Sequence, residues 1–274
     1  MALLSGHFRK IDSRYHGDEG DRFAFEELQP VASRFVPRAG QVLEVGCGYG
    51  RNLVVLSQLP ARLVVGCDVA RDELAAARSR LARPDPERTA DIGLIEQEPY
   101  RLPFRDGSFD LVVLWQVLEH VFSREEKKRV LAESVRVLRS GGHLLLETPN
   151  AWFPVDYHDN KLPFAHWFPR RLRMELTHRV RGKRYEPSQY MSLRGYERLI
   201  REITAVRRIS RATRIYFAPS FVKAWRSLGG TNLVLKRLIF IGVAPLHALL
   251  STFGSTADLV LPSVRMVWNV EKTP

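Results

Sequence analysis

An α/β fold built on a doubly wound, mostly parallel sheet is what this 274-residue sequence predicts, and three observations predict it. Over residues 1–150, short and nearly continuous apolar runs alternate with amphipathic stretches, the rhythm of strands covered on both faces by helices. A glycine-rich segment, Gly46-Cys47-Gly48-Tyr49-Gly50, follows the first of these runs and opens the first helical stretch. An acidic residue, Asp68, ends the second run, at the edge where open α/β sheets hold ligands.

The elements follow in order. Residues 8–36 read as one or two helices, with Phe23, Phe25 and Leu28 as their apolar positions. Strands are expected at 41–45, 62–68, 92–97, Phe109–Trp115 and 143–148. Residues 72–82 (DELAAARSRLA) are rich in good helix formers. Residues 123–139 open on Ser123 with Glu126 three positions on, a capping box. They carry Val130, Leu131, Val135 and Leu138 on one face and are expected to stop at Gly141-Gly142. Beyond residue 150 the rhythm changes. Residues 151–190, rich in Pro, Trp, Phe, His and Arg, read as an irregular insert with short helices. Residues 193–203 read as a helix, and alternation over 206–216 and 263–270 gives two late strands. Between them lies 238–250 (LIFIGVAPLHALL), interrupted by Pro245 and His247 and too short for a membrane span; a core or interfacial position is expected.

Charge is distributed unevenly. The net charge is +12, yet residues 1–150 hold 21 Lys/Arg against 22 Asp/Glu, residues 151–226 hold 17 against 6, and the remainder 4 against 2. An excess confined to one segment is either a solvated basic face or an attractor for an anionic substrate, an acidic membrane surface or nucleic acid. The two cysteines, Cys47 and Cys67, supply neither a disulfide framework nor metal spacing, so a reducing compartment is expected. The first ten residues lack the apolar stretch of a secretory signal. The expected location is cytoplasmic, with peripheral contact at the inner face of an anionic membrane.

The glycine loop must bend sharply between strand and helix and let a ligand touch backbone, which residues without a β-carbon permit. The helix N-terminus behind it offers unpaired N–H groups to an anion. A dinucleotide fingerprint starting at Gly46 would need glycine at position 51, where the chain has Arg51. The pattern is instead Glu44 followed by G-x-G-x-G. Asp68 can accept from two ribose hydroxyls or cap the next helix, and the two roles are compatible.

The motifs LEVGCGYG, VGCDVA, LPFRDGSFDLVV, LEHV and RVLRSGGHLLLETPN, in that order over residues 41–150, resemble those of the class I S-adenosylmethionine-dependent methyltransferases. The branch they look closest to holds the ubiquinone and menaquinone biosynthesis enzymes. The resemblance implies a Rossmann-like, seven-stranded sheet, mostly parallel with one late antiparallel strand, and a C-terminal-half insert. It implies four regions: an N-terminal helical cap (1–40), the S-adenosylmethionine-binding core (41–150), a basic and aromatic substrate lid (151–192), and the rest of the sheet (193–274) with an apolar helical insertion at about 217–262. For the cofactor S-adenosylmethionine it implies that Gly46, Cys47, Gly48 and Gly50 line the amino-acid end, with Glu44 engaging the amino group. Asp68 would hold the ribose hydroxyls, Val69 would lie against the adenine, and Glu98 would accept from the adenine amine. Trp115 and Gln116 would pass beside the methionine. Residue 99 is proline and cannot donate the backbone N–H the family often uses for adenine, so Tyr100 would have to supply that contact. Some quinone O-methyltransferases carry Glu-x-x-Glu-His after strand four and hold a divalent metal there. Here the first position is Gln116, a poorer ligand for a hard cation, and no metal is expected.

Methyl transfer to a hydroxyl needs alignment and a base. Histidine suits the second role, with a reference pKa near ~6.5. His120 just after strand four, and His158 and His166 in the insert, are the candidates, each against the alternative of a structural hydrogen bond. The insert aromatics Trp152, Phe153, Tyr157, Phe164, Trp167 and Phe168 read either as packing or as the floor of an acceptor site. The expected function is methyl transfer to a small-molecule or lipid-linked acceptor with an anionic head, with O-methylation favoured. The alternatives are an RNA methyltransferase, or a non-catalytic cofactor-binding protein on the same fold.

Overall fold

The computed structural model describes residues 24–153, 156, 162, 164–182, 188–211 and 263–273. Seven strands form one sheet in the order β3-β2-β1-β4-β5-β7-β6. They are β1 (Gly40–Val45), β2 (Ala61–Asp68), β3 (Asp91–Glu96), β4 (Phe109–Trp115), β5 (Leu138–Pro149), β6 (Val206–Arg211) and β7 (Ser263–Lys272). The first five run parallel to their neighbours, and β7 enters antiparallel between β5 and β6. The mostly parallel sheet with its late antiparallel strand is therefore as the sequence predicts.

Side chains alternate across this sheet into two apolar layers. Val112 and Leu114 of β4 face one way, with Leu144 and Leu146 of β5 and with Met266 and Trp268 of β7. Leu111, Val113 and Trp115 face the other way. Because both faces are covered, the strand reads as unbroken apolar sequence. On the second face lie α1 (Gln29–Ala32), α2 (Arg51–Ser57) and α3 (Arg71–Leu81). On the first lie α4 (Arg124–Val137) and α6 (Leu193–Arg201), while α5 (Arg170–Arg181) belongs to the insert. The strand order reverses direction between β1 and β4, so a crevice opens at their C-terminal ends, where open α/β sheets bind ligands.

α4 begins as its capping box requires. Ser123 Oγ accepts from Glu126 N at 3.0 Å, and the Glu126 carboxylate accepts from Ser123 N at 3.2 Å. Its end differs from expectation. The helix stops at Val137 and β5 starts at Leu138, so Gly141-Gly142 lie inside a strand. The pair absorbs an irregularity in register, since Phe109 faces Leu138 whereas Leu111 faces His143. A glycine pair after a helical pattern reads as a stop in sequence, and a bulge uses the same residues. The LPFRDG turn is held by α4: Arg136 donates to the Phe104 and Leu102 carbonyls and to Asp106, each at 2.8 Å, and pairs with Glu133.

Residues 206–216 are realised as β6 up to Arg211, and 212–216 lie outside the described residues, as do 1–23 and the apolar insertion 217–262. Among the described residues no helix is long and apolar enough to cross a membrane.

Candidate active site

β1 ends at Val45, and the glycine loop turns the chain under the crevice into α2. Gly46, Gly48 and Gly50 take φ of 75°, 48° and 71°, the left-handed region that a β-carbon disfavours. At Gly46 the constraint is also spatial, since a β-carbon there would stand 2.5 Å from Val117 Cγ2. The loop is laced to the end of β2: Gly46 N and Cys47 N both donate to the Cys67 carbonyl, at 2.8 and 3.0 Å. Gly48 N donates to Asp68 Oδ2 at 2.8 Å, and Ala70 N to Asp68 Oδ1 at 2.9 Å. Asp68 therefore fixes both the loop and the turn that leads into α3 by accepting from their backbone. Cys47 and Cys67 are buried free thiols, and burial pushes Cys67 up to about 12. Both are inert packing at neutral pH.

Three carboxylates surround this loop. Glu44 is buried and accepts from Asn52 Nδ2 at 2.7 Å through Oε1, while Oε2 is buried without a hydrogen-bond partner among the described residues. Burial first, with Asp68 adding repulsion against the relief from Asn52 and Arg51, raises its carboxyl to about 8. Asp68 is also raised by burial, against the pull of its backbone donors. The third carboxylate, Glu73 on α3, went unnoticed in the sequence. It is buried, with Oε1 unpartnered among the described residues. The signal was available, because Glu73 and Ala77, four apart, share the inward face of α3 with Leu74 and Leu81.

β4 delivers the other wall. Gln116 takes φ of 57° and donates from its backbone N to Glu147 O at 2.8 Å; a non-glycine residue in that region at a sheet edge marks a strained, site-facing turn. Trp115 is buried in the second core layer with the Arg265 guanidinium 4.9 Å from its ring. His120 closes a 3₁₀ turn, Leu118–His120, and its backbone N donates to Val117 O at 3.0 Å. Val69 is half-buried just past β2. Farther out, Glu98 is exposed and Tyr100 packs against the first layer with Arg129 over its ring at 4.9 Å.

The insert docks on that turn. Lys127, buried on α4, donates to the carbonyls of Leu118 and Val121, and to that of Gln189 at 3.1 Å. Gln189 N donates to Glu119 O at 2.7 Å, and the next residue, Tyr190, packs its ring 5.2 Å from that of His166. His166 Nε2 lies 3.1 Å from Ala151 O. One short segment, 188–190, thus brings the elements carrying His120 and His166 to the same side of the sheet. His158 and Tyr157 lie outside the described residues.

Comparison with known proteins matches this architecture. Residues 43–146 match the methyltransferase domain family. The match takes in the glycine loop, Asp68 and the turn after β4. A probable S-adenosylmethionine-dependent methyltransferase of Mycobacterium tuberculosis is 35% identical over 134 residues, 47% of this chain and 44% of its own length. An O-methyltransferase of Penicillium expansum is 30% identical over 128 residues, 46% of this chain and 43% of its own. The chain thus spans under half the length of the curated relatives it matches. The crystal structure of an S-adenosylmethionine-dependent methyltransferase from Mesorhizobium loti superimposes with a TM-score of 0.52 at 14% identity, covering 88% of this chain and 96% of that one. At that identity the likeness is one of fold.

The residues around the glycine loop fit S-adenosylmethionine by their chemistry. The cofactor carries a sulfonium and an ammonium, and the loop offers it acceptors: Glu44 Oε2, buried without a hydrogen-bond partner among the described residues, and the half-buried Asp68. The left-handed glycines leave the space that side chains would fill.

Proposed function

We propose that the chain is an S-adenosylmethionine-dependent methyltransferase moving a methyl group to the oxygen of a small or lipid-linked amphiphilic acceptor with an anionic head. The donor half rests on the methyltransferase domain and its glycine loop. The observation that carries the acceptor half is a surface just beyond β5. Trp152, Phe164, Trp167 and Phe168 are 57, 48, 51 and 43% exposed, and with Leu172 and Val180 they are the exposed large apolar side chains of the described residues. Exposed Arg170, Arg171 and Arg179 share the segment. Aromatic rings interleaved with arginine, at the ligand-binding edge of a sheet, suit an interfacial, anionic target. In this reading residues 151–192 form a lid, tied to the domain by Gln189 and by the bridge between Asn150 and Met191.

Glu44, the backbone of the loop from Gly46 to Gly50, and Asp68 would hold the cofactor, which when bound supplies an electrophilic methyl group. The chain's own task is to orient the acceptor hydroxyl and take its proton. His120 and His166 are the bases this reading draws on. Because Ala151 O can only accept, Nε2 of His166 carries its proton and Nδ1 is the basic nitrogen. No metal enters this reading, and chelation is expected to leave turnover unchanged.

The test is transfer of a radiolabelled methyl group from S-adenosylmethionine to fractionated lipid, aqueous and RNA extracts. Alkali-stable label in the lipid phase, lowered by His120→Ala or His166→Ala, is expected. Label in RNA would overturn the acceptor half, and saturable cofactor binding with transfer to no fraction would overturn catalysis.

A further inference from the structure

Glu73 has no part in the reading above, yet its placement calls for one. An acidic residue in the first turn of a helix ordinarily complements the helix dipole from solvent. Asp72, its exposed neighbour, is placed to do that. Glu73 instead points inward and is only 5% exposed. Its Oε2 lies 2.9 Å from where a β-carbon on Gly48 would stand, and the N–H of Gly48 is held by Asp68. Its Oε1 is buried with no hydrogen-bond partner among the described residues. A buried carboxylate oxygen without a donor is costly, so a fold retains one where a ligand supplies the donor.

The groups facing it are acidic or neutral. From β2 comes Asp68, which repels it; from the loop comes Tyr49, whose hydroxyl Glu73 pushes upward; Asp72 stands beside it on α3. Of the arginines of α3, Arg71 pairs with Glu96 at 2.9 Å, Arg80 donates to Tyr49 O at 3.1 Å, and Arg78 is exposed. No described cation neutralises the carboxyl, and burial, then Asp68, hold it at about 7.

We propose that Glu73 is a further cofactor-binding carboxylate, which accepts a hydrogen bond from a donor of S-adenosylmethionine beside Asp68 and loses its proton to solvent when the cofactor binds. The inference rests on cofactor binding at the glycine loop but not on any acceptor or base. Its sign follows from the proton: the free protein carries it at pH 6, the cationic ligand favours the ionised form, and affinity rises from pH 6 to 8.

The experiment is titration calorimetry of the full chain with S-adenosylmethionine at pH 6, 7 and 8, each in two buffers of different ionisation enthalpy, for the wild type and for Glu73→Gln. Wild-type protein should release protons near pH 7 and bind more tightly at pH 8. Glu73→Gln should release fewer, losing about ten-fold in affinity at pH 8 and little at pH 6, the scale of one charge-assisted hydrogen bond. The ligand's own ammonium and the Glu44 carboxyl titrate in both proteins and cancel in the difference. Equal proton release in the two proteins overturns the proposal even though the cofactor binds. A wild-type affinity that is flat from pH 6 to 8 overturns it whether or not the variant folds, and absence of wild-type binding overturns the cofactor reading with it.

Discussion

Asn52, the second residue of α2, donates its side-chain amide to Glu44 at the end of β1, 2.7 Å away, and so fixes which oxygen of that carboxylate is left over. The remaining oxygen, Oε2, is buried without a hydrogen-bond partner among the described residues. This arrangement is costly in the free protein, and the cost depends on pH.

With its carboxyl raised to about 8 from an ordinary 4.5, Glu44 binds a proton more tightly in the folded chain than in the unfolded one. Between those values folding takes up protons, so stability falls as pH rises from 4.5 towards 8. Glu44→Gln should remove that fall. The variant should gain on the wild type in melting temperature across this window, by about 5 °C at pH 8, while its affinity for S-adenosylmethionine weakens. Melting curves at pH 5, 6.5 and 8 check it, and a constant difference between the proteins counts against the buried carboxyl.

Gly46→Ala combines a positive φ with a contact 2.5 Å from Val117 Cγ2. We expect cofactor affinity to drop by about 100-fold, the scale of a strained backbone of 2–3 kcal/mol at the binding loop. Adding Val117→Ala relieves the contact but not the dihedral, so calorimetry on the double variant should recover part of the loss only.

Lys127 serves as a buried donor to three carbonyls, two in or next to the turn carrying His120 and one at the end of the insert. Burial holds its ammonium down to about 8. A lysine lowered on folding adds stability as pH rises from there towards 10.5, because the unfolded chain holds the proton longer. Lys127→Met should abolish that rise in chemical denaturation between pH 8 and 10. It should also speed hydrogen exchange at the Gln189 amide, whose acceptor Glu119 O sits on the same turn.

Arg265 of β7 and Glu27 form a buried ion pair at 2.6 Å, joining residues 238 positions apart. Removing one partner leaves an uncompensated buried charge, and Glu27→Ala should cost about 3–5 kcal/mol in denaturant unfolding. Glu27→Leu with Arg265→Met should cost far less.

The surface beyond β5 predicts its own behaviour. Trp152→Ser with Phe168→Ser should change melting by little, since half-exposed side chains pack weakly, within about 0.5 kcal/mol per site. Co-sedimentation with anionic vesicles should fall several-fold, while binding to neutral vesicles stays low in both proteins. Equal sedimentation of wild type and variant would remove lipid from the proposed function.

Much of this site is written in local pattern. The glycine spacing, the acid at the tip of β2, the apolar strands and the Ser123–Glu126 box each depend on residues a few positions apart, and the first four strands fell within one residue of expectation. Helix α4 and β5 were misdivided at Gly141-Gly142 because a glycine pair serves a helix stop and a strand bulge equally well. Other pairings depend on how elements meet. Asn52 reaches back to Glu44 across the glycine turn, while Lys127 on Gln189 and Glu27 on Arg265 join elements far apart in the chain.

Sequence alone determined the doubly wound sheet and the strand–loop–helix turn at Gly46, Gly48 and Gly50, because period, turn chemistry and motif order act over short stretches of chain. Tertiary structure alone decided that Trp115 is packing, that Glu73 stands beside Asp68, and that the elements bearing His120 and His166 share one side of the sheet. Those facts depend on which face of an element turns inward and what meets it there. Periodicity marks the face, and only packing names the neighbour.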